Sequence, residues 1–293
     1  MTVTPSEPPG LTVVIPAFNE EAGLEQTITA LRAALTRHPG PVELIVVDDG
    51  STDGTASVAS RTGARTIRHP ARGGYGRALK SGIAAASHEL IAICDADGTY
   101  PVEALPTMVA RMDHFDMVVG QRTGFRYRRK LLLSPLRTSF LLLAAFVTGS
   151  WIPDPNSGLR VFRRSIVLPL LPRLPRAFSF TTTLTLILTL SGCFVAYHPI
   201  AYHRRIGRSK VRLVRDALRA GQTMVEVVLE HNPLKMFLVV ALPLGVAALT
   251  CGVFAWFDAR GVVPAVALFC ASVGTFVAGM LAVVIGAAGR RSR

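Results

Sequence analysis

Residues 95–101, DADGTYP, place two carboxylates one residue apart, directly behind an apolar run, IAIC, at 91–94. A run of that kind is a buried strand. Asp95 and Asp97 therefore stand together at a strand end. Clustered carboxylates repel and are costly to hold together without a cation. Two chemistries fit the pattern. Asp95 is an attacking nucleophile, or the pair holds a divalent cation on a diphosphate. Helix N-capping accounts for Asp53 and part of Asp48–Asp49, but not for Asp95 and Asp97 together.

The surrounding elements place other acids at equivalent positions. Leu11–Phe18 reads as a strand that ends at Asn19-Glu20-Glu21, followed by an amphipathic helix over Ala22–Thr36. Val42–Asp48 is a second strand, and Ala64–Arg68 a third. A helix over Arg77–Ser87 leads to a fourth strand, Glu89–Cys94. Val102–Met112 is helical, and Met117–Gly120 is a fifth strand. The alternation predicts an α/β fold with a mostly parallel, doubly wound sheet and helices on both faces. Ligands of such sheets bind at the carboxyl ends of the strands, where Glu20, Asp48, Asp49, Asp95 and Asp97 lie. RGGYGRALK, 72–80, is an ordinary turn into a helix or a phosphate-binding helix start.

The 293-residue chain is 50% hydrophobic with a net charge of +13. Its mean hydropathy of +0.40 exceeds that of an ordinary soluble domain. Such a basic balance points to anionic partners. Four scattered cysteines show no metal-ligand spacing and suggest a reducing compartment. Residues 1–10 read as a disordered lead-in. Residues 236–257 and 262–288 are uncharged and long enough to cross a bilayer, since about 20 residues span its core. Lys235 before them and Arg290-Arg291-Ser292-Arg293 after them predict a multi-pass hairpin with the preceding domain on the cytoplasmic face of the cell (inner) membrane. Ala177–Ile200 is also uncharged but rich in Thr and Ser. It reads as a helix over Phe180–Leu190 and then a strand over Phe194–Tyr197. Leu131–Phe146 reads as an interfacial helix, within 131–150, and 203–235 as a basic juxtamembrane segment. The α/β domain is placed at 11–202.

Six motifs in order, VVIPAFNEE (13–21), VVDDGSTDGT (46–55), DADGTYP (95–101), VVGQR (118–122), DPNSGLRVFRR (154–164) and HRRIGRSK (203–210), resemble family 2 glycosyltransferases of the dolichol- and polyprenyl-phosphate sugar synthase type. The resemblance covers Thr12 to Lys210 and implies the GT-A fold. In dehalogenase-type phosphatases the nucleophilic Asp-x-Asp lies on the first strand, whereas two strand–helix units precede it here. The resemblance therefore favours the metal clamp, a DxD motif binding Mg²⁺ or Mn²⁺ through Asp95, Asp97 and Thr99. Asp97 is then the principal ligand. Thr99 stands where the mannose synthases carry Gln. The nucleotide-sugar is implied to contact Pro16, Phe18, Glu20, Val47, Asp49, Asp95, Ala96, Asp97 and Thr99, with Arg122, Arg204 and Lys210 gripping phosphates. Asp97, Asp95 and Arg122 are the implied catalytic residues. Asp154 and Ser157-Gly158 would shape the acceptor side. The implied reaction is inverting transfer of a hexose from a GDP- or UDP-linked donor to a polyprenyl phosphate. A glycolipid or glycan acceptor is the alternative, and no nucleic acid is expected.

Overall fold

The computed structural model describes residues 8–124, 135–177, 179–203, 221–222 and 225–291. The first seven residues of the expected lead-in, Arg204, Lys210 and most of the basic 203–235 segment lie outside the described residues. The chain divides into two compact units. One comprises Met1–Leu141 and Ile152–Ala220, the other Leu142–Trp151 and Gly221–Arg293.

The first unit is built on a mixed sheet. Its strands are β1 (Leu11–Ala17), β2 (Val42–Asp48), β3 (Arg65–Arg68), β4 (Leu90–Ile93), β5 (Met117–Thr123), β6 (Arg160–Arg163) and β7 (Val195–Ala201), in the order β3-β2-β1-β4-β6-β5-β7. All neighbours run parallel except β6, which is antiparallel to both β4 and β5. β6 was not anticipated. Arg160 and Arg163 mask its apolar pattern, yet Arg160, Val161 and Phe162 are fully buried. The chain leaves β1 toward β2 and β3, then returns to place β4 on the other side of β1. That reversal opens a crevice at the carboxyl ends of β1 and β4.

Helices α1 (Glu21–Leu35), α2 (Thr55–Arg61), α3 (Tyr75–Ala85) and α4 (Leu105–Ala110) connect the strands. Residues 102–112 are helical as expected, but 3₁₀ turns flank α4. Leu24, Ile28, Leu31 and Leu35 recur at helical spacing on α1 and bury against Val13, Ile15 and Val46 of the sheet. Gly23 lets α1 lie directly on the turn after β4, since a Cβ there would stand 2.8 Å from the Ala96 carbonyl oxygen. Thr27 Oγ1 donates to that same carbonyl.

Helix α5 covers Pro135–Thr148, and α6, Phe180–Leu190, coincides with the expected helix. α6 is a packed core helix, with every residue from Phe180 to Leu188 buried. Its threonines tolerate burial because Thr183, Thr185 and Thr189 donate to carbonyls four residues back.

In the second unit, α7 (Pro233–Ala255) and α8 (Val262–Arg291) are long and apolar enough to cross a membrane. They pack as a hairpin. Ser272 Oγ donates to the Ala241 carbonyl at 2.8 Å, and Gly279 lies against Phe237. Their outer faces are apolar and exposed, with Trp256 and Phe257 over 80% exposed at the turn. Lys235 donates to the Phe146 and Val147 carbonyls at the end of α5, where a cation suits the helix dipole.

Gly23→Ala is expected to force α1 off the β4 turn and destabilise the first unit by about 1–3 kcal/mol. A thermal melt of the purified protein checks this, and an unchanged apparent Tm would contradict the close packing.

Candidate active site

The β1 and β2 loops border one side of the crevice. Asn19 ends β1 in the left-handed region, with φ of 52°. Its Oδ1 accepts from Thr52 N–H, and its own N–H donates to Ser51 Oγ. Glu21 accepts the Gly54 N–H. These bonds tie the two loops together. Pro16 and Val47 are register partners in neighbouring strands. Val47 is fully buried. Phe18 is partly buried beneath the Arg72 guanidinium, which lies 4.2 Å from the ring centroid. Nothing in the local pattern around Phe18 pointed to that partner. Glu20 is partly buried, and its N–H donates to Thr55 Oγ1.

Asp48 and Asp49 are both buried and engaged. Asp48 Oδ1 accepts the Ser51 N–H, and Oδ2 lies 3.3 Å from Arg68 Nε without hydrogen-bond geometry. Asp49 accepts the Gly73 and Gly74 N–H groups at 2.9 and 2.7 Å and contacts His69 Nδ1 at 2.8 Å. The RGGYG turn is thus a turn into α3, with two of its amides bound to Asp49 instead of open to a phosphate.

Asp95 and Asp97 follow β4. Asp95 Oδ1 accepts from the Tyr75 hydroxyl at 2.9 Å. Burial, then the Asp95 charge, pushes the Tyr75 phenol well above its ordinary pKa. It therefore stays protonated and donates. Asp95 also faces Gly158, where a Cβ would stand 2.5 Å from Oδ2. Asp97 is 1% exposed, and its Oδ1 accepts both the Thr99 N–H and the Thr99 hydroxyl. Ala96 between them is buried.

The remaining side is the 154–158 loop. Arg122, at the end of β5, donates through Nε and one terminal nitrogen to both Asp154 oxygens, at 2.8 and 2.7 Å. Its backbone N–H adds a third bond to Asp154. Asp154 is fully buried. Tyr202 lies 5.4 Å from the same guanidinium and edge-on to Tyr100, whose hydroxyl accepts the Gly158 N–H. Beneath the loop, buried Arg160 donates to the Pro155, Ser157 and Thr181 carbonyls and to Thr185 Oγ1. The paired Arg122–Asp154 and the Arg160 tether escape sequence reading, because their partners lie on other elements.

Oxygen donors at Asp95 and Asp97 suit a hard divalent cation that takes its remaining ligands from water and a diphosphate. Among the described residues no group of three or more Asp, Glu, His or Cys could hold a metal. The two carboxylates fit a hard cation as two of its oxygen ligands.

The profile of Glycosyl transferase family 2 matches residues 12–170. The chain belongs to that family. It is a glycosyltransferase. The chain is 30% identical to a dolichyl-phosphate hexose transferase of Haloferax volcanii, over 76% of this chain and 95% of that protein. It is also 30% identical to a dodecaprenyl-phosphate galacturonate synthase of Rhizobium johnstonii, over 54% of this chain and 48% of that longer protein. Among solved structures it resembles glucosyl-3-phosphoglycerate synthase of Mycobacterium tuberculosis with Mg²⁺ and uridine diphosphate. The TM-score is 0.60 and the identity 25%, over 75% of this chain and 79% of that one. The same synthase is known with Mn²⁺, and the structural likeness bears out the GT-A architecture.

Asp154→Ala is expected to lower stability by about 3–5 kcal/mol, because Arg122 loses its bidentate partner. The Asp154→Ala/Arg122→Ala double variant is expected to lose less than the sum of the single losses. Denaturant melts of the four proteins give the coupling, and strict additivity would contradict the pair.

Proposed function

We propose that this glycosyltransferase transfers a hexose from a nucleotide-sugar to the phosphate oxygen of a polyprenyl phosphate, with inversion at the anomeric carbon. The observation that carries the reading is the Asp95–Asp97 pair at the switch-point crevice. The Haloferax and Rhizobium relatives, both named for polyprenyl-phosphate sugar transfer, support the acceptor class.

The donor nucleotide lies against Pro16, Phe18, Glu20, the Val47 backbone and Asp49. Asp95, Ala96, Asp97 and Thr99 face its diphosphate. Mg²⁺ or Mn²⁺ held by Asp95 and Asp97, with Thr99 beside them, would supply positive charge to the departing diphosphate. Tyr75 and Thr99 orient the two carboxylates by donating to them. Arg122 fixes the 154–158 loop through Asp154 and brings a positive charge to the phosphate side of the site. Arg204 and Lys210 add cations for the two phosphorylated substrates.

A bond forms between the acceptor phosphate oxygen and the anomeric carbon, and the bond to the donor diphosphate breaks. The nucleoside diphosphate leaves with the electron pair. A phosphate monoester has a second pKa of about 6 and is largely ionised at neutral pH. The acceptor therefore needs no general base from the protein.

The α7–α8 hairpin holds the enzyme at the bilayer that contains the lipid. Lys235 and the arginines at 290, 291 and 293 support a cytoplasmic orientation of both hairpin ends.

Membranes carrying the enzyme, given a panel of labelled GDP- and UDP-sugars with polyprenyl phosphate, should form a polyprenyl-phosphate sugar. Asp97→Ala or chelation of divalent cations is expected to reduce that product at least 100-fold. Full turnover in Asp97→Ala would sink the metal assignment, and a labelled glycolipid or glycan instead would move the acceptor.

Truncation after Leu234 is expected to lower turnover on membrane-embedded acceptor far more than nucleotide binding. Equal turnover by the truncated and full-length enzymes would remove the anchor role.

A further inference from the structure

A cationic cleft lies along α3, and its lining includes none of the carboxylate-site residues. Its volume is about 670 Å³, and Arg77, Lys80 and Arg176 line it together with Pro172, Leu174 and Pro175. No Asp or Glu is among its lining residues. Among the described residues, no carboxylate comes within ion-pair distance of these three cations. Lys80 is half-buried, and its pKa is pulled down first by burial and then by the Arg176 charge. Like charges gathered against a partly apolar wall are unfavourable unless an anion joins them.

The cleft is preformed. Gly76 has no side chain, so the first turn of α3 rests on the Pro175–Ala177 backbone, which a Cβ would strike. The Arg77 N–H donates to the Arg176 carbonyl at 3.1 Å and fixes the spacing of the two walls. Ser81, also on the wall, contacts His69 Nε2 at 2.9 Å, while His69 Nδ1 faces Asp49. Recognition of an anion in the cleft falls to the three cations.

We propose that this cleft binds a phosphate monoester, with Arg77, Lys80 and Arg176 on the phosphate and the proline–leucine wall against the group it carries. The phosphate belongs to a prenyl-type lipid or to a soluble species, and both share this chemistry. The site is distinct from the transfer site and is occupied without donor.

Calorimetric titration of the detergent-solubilised full chain with geranyl phosphate and, separately, inorganic phosphate tests it. Lys80→Gln/Arg176→Gln is expected to bind one equivalent fewer of the preferred ligand than wild type. That difference reads as two against one if the acceptor site also binds, and as one against none if the proposed transfer function is wrong. Geranyl phosphate at least tenfold tighter than inorganic phosphate assigns a lipid-linked ligand, and equal affinities assign a soluble one. If the double variant melts lower than wild type, Arg77→Gln at an exposed position is used, with at least fivefold weaker binding expected. Unchanged stoichiometry and affinity in the folded variants would overturn the site.

Discussion

The carboxyl edge of the sheet carries more negative charge than a protein holds without specific donors. Four carboxylates there are held by donors from other parts of the chain or from their own turn. Asp49 closes the turn into α3 by taking two glycine amides. Asp154 takes the Arg122 fork and the Arg122 amide. Asp97 takes both donors of Thr99, and Asp95 takes the phenol of Tyr75. Burying an ionised group costs several kcal/mol unless it is well hydrogen-bonded. The loops around the crevice are therefore shaped by the acids they must satisfy. Loops held in this way have their shape set by internal bonds and not by a ligand.

The 154–158 loop shows how far this constraint reaches. Its front holds Arg122, and its amide at Gly158 donates to Tyr100, on the turn that carries Asp97. Its back is held by Arg160, whose guanidinium also reaches the first turn of α6. Burial lowers the Arg160 pKa, and carbonyl and hydroxyl acceptors meet its N–H groups. A change at α6 thus acts on the site through a buried cation and one short loop.

Local pattern made the alternating strands, α6 and the apolar hairpin legible, because burial on a regular element imprints a period on the chain. β6 was hidden because its two arginines serve distant partners instead of solvent. Candidate site residues could be proposed from the order of the motifs along the chain, but their partnerships could not. Tyr75 is 20 residues from Asp95, and Arg122 is 32 from Asp154. Such pairs are set by strand order, and strand order here depends on a reversal that no local segment encodes. Arg122 shows the consequence. As a residue type it reads as a phosphate clamp, yet two of its side-chain nitrogens already serve Asp154.

Thr99 is the position where the chain departs from the mannose synthases it resembles, and its surroundings give that departure a physical reason. The residue is fully buried, and its backbone and hydroxyl both donate to Asp97 Oδ1. Gln in its place would carry a longer side chain into a space that is already filled. The hydroxyl proton serves Asp97, while two lone pairs remain on the same oxygen. Thr99 thus holds the carboxylate in one rotamer. A short donor so close to Asp97 limits its rotation, so the orientation of the carboxylate is set by the turn itself. The DADGT stretch works as one unit. Gly98, with φ of 68°, supplies the left-handed step that brings Thr99 back onto Asp97.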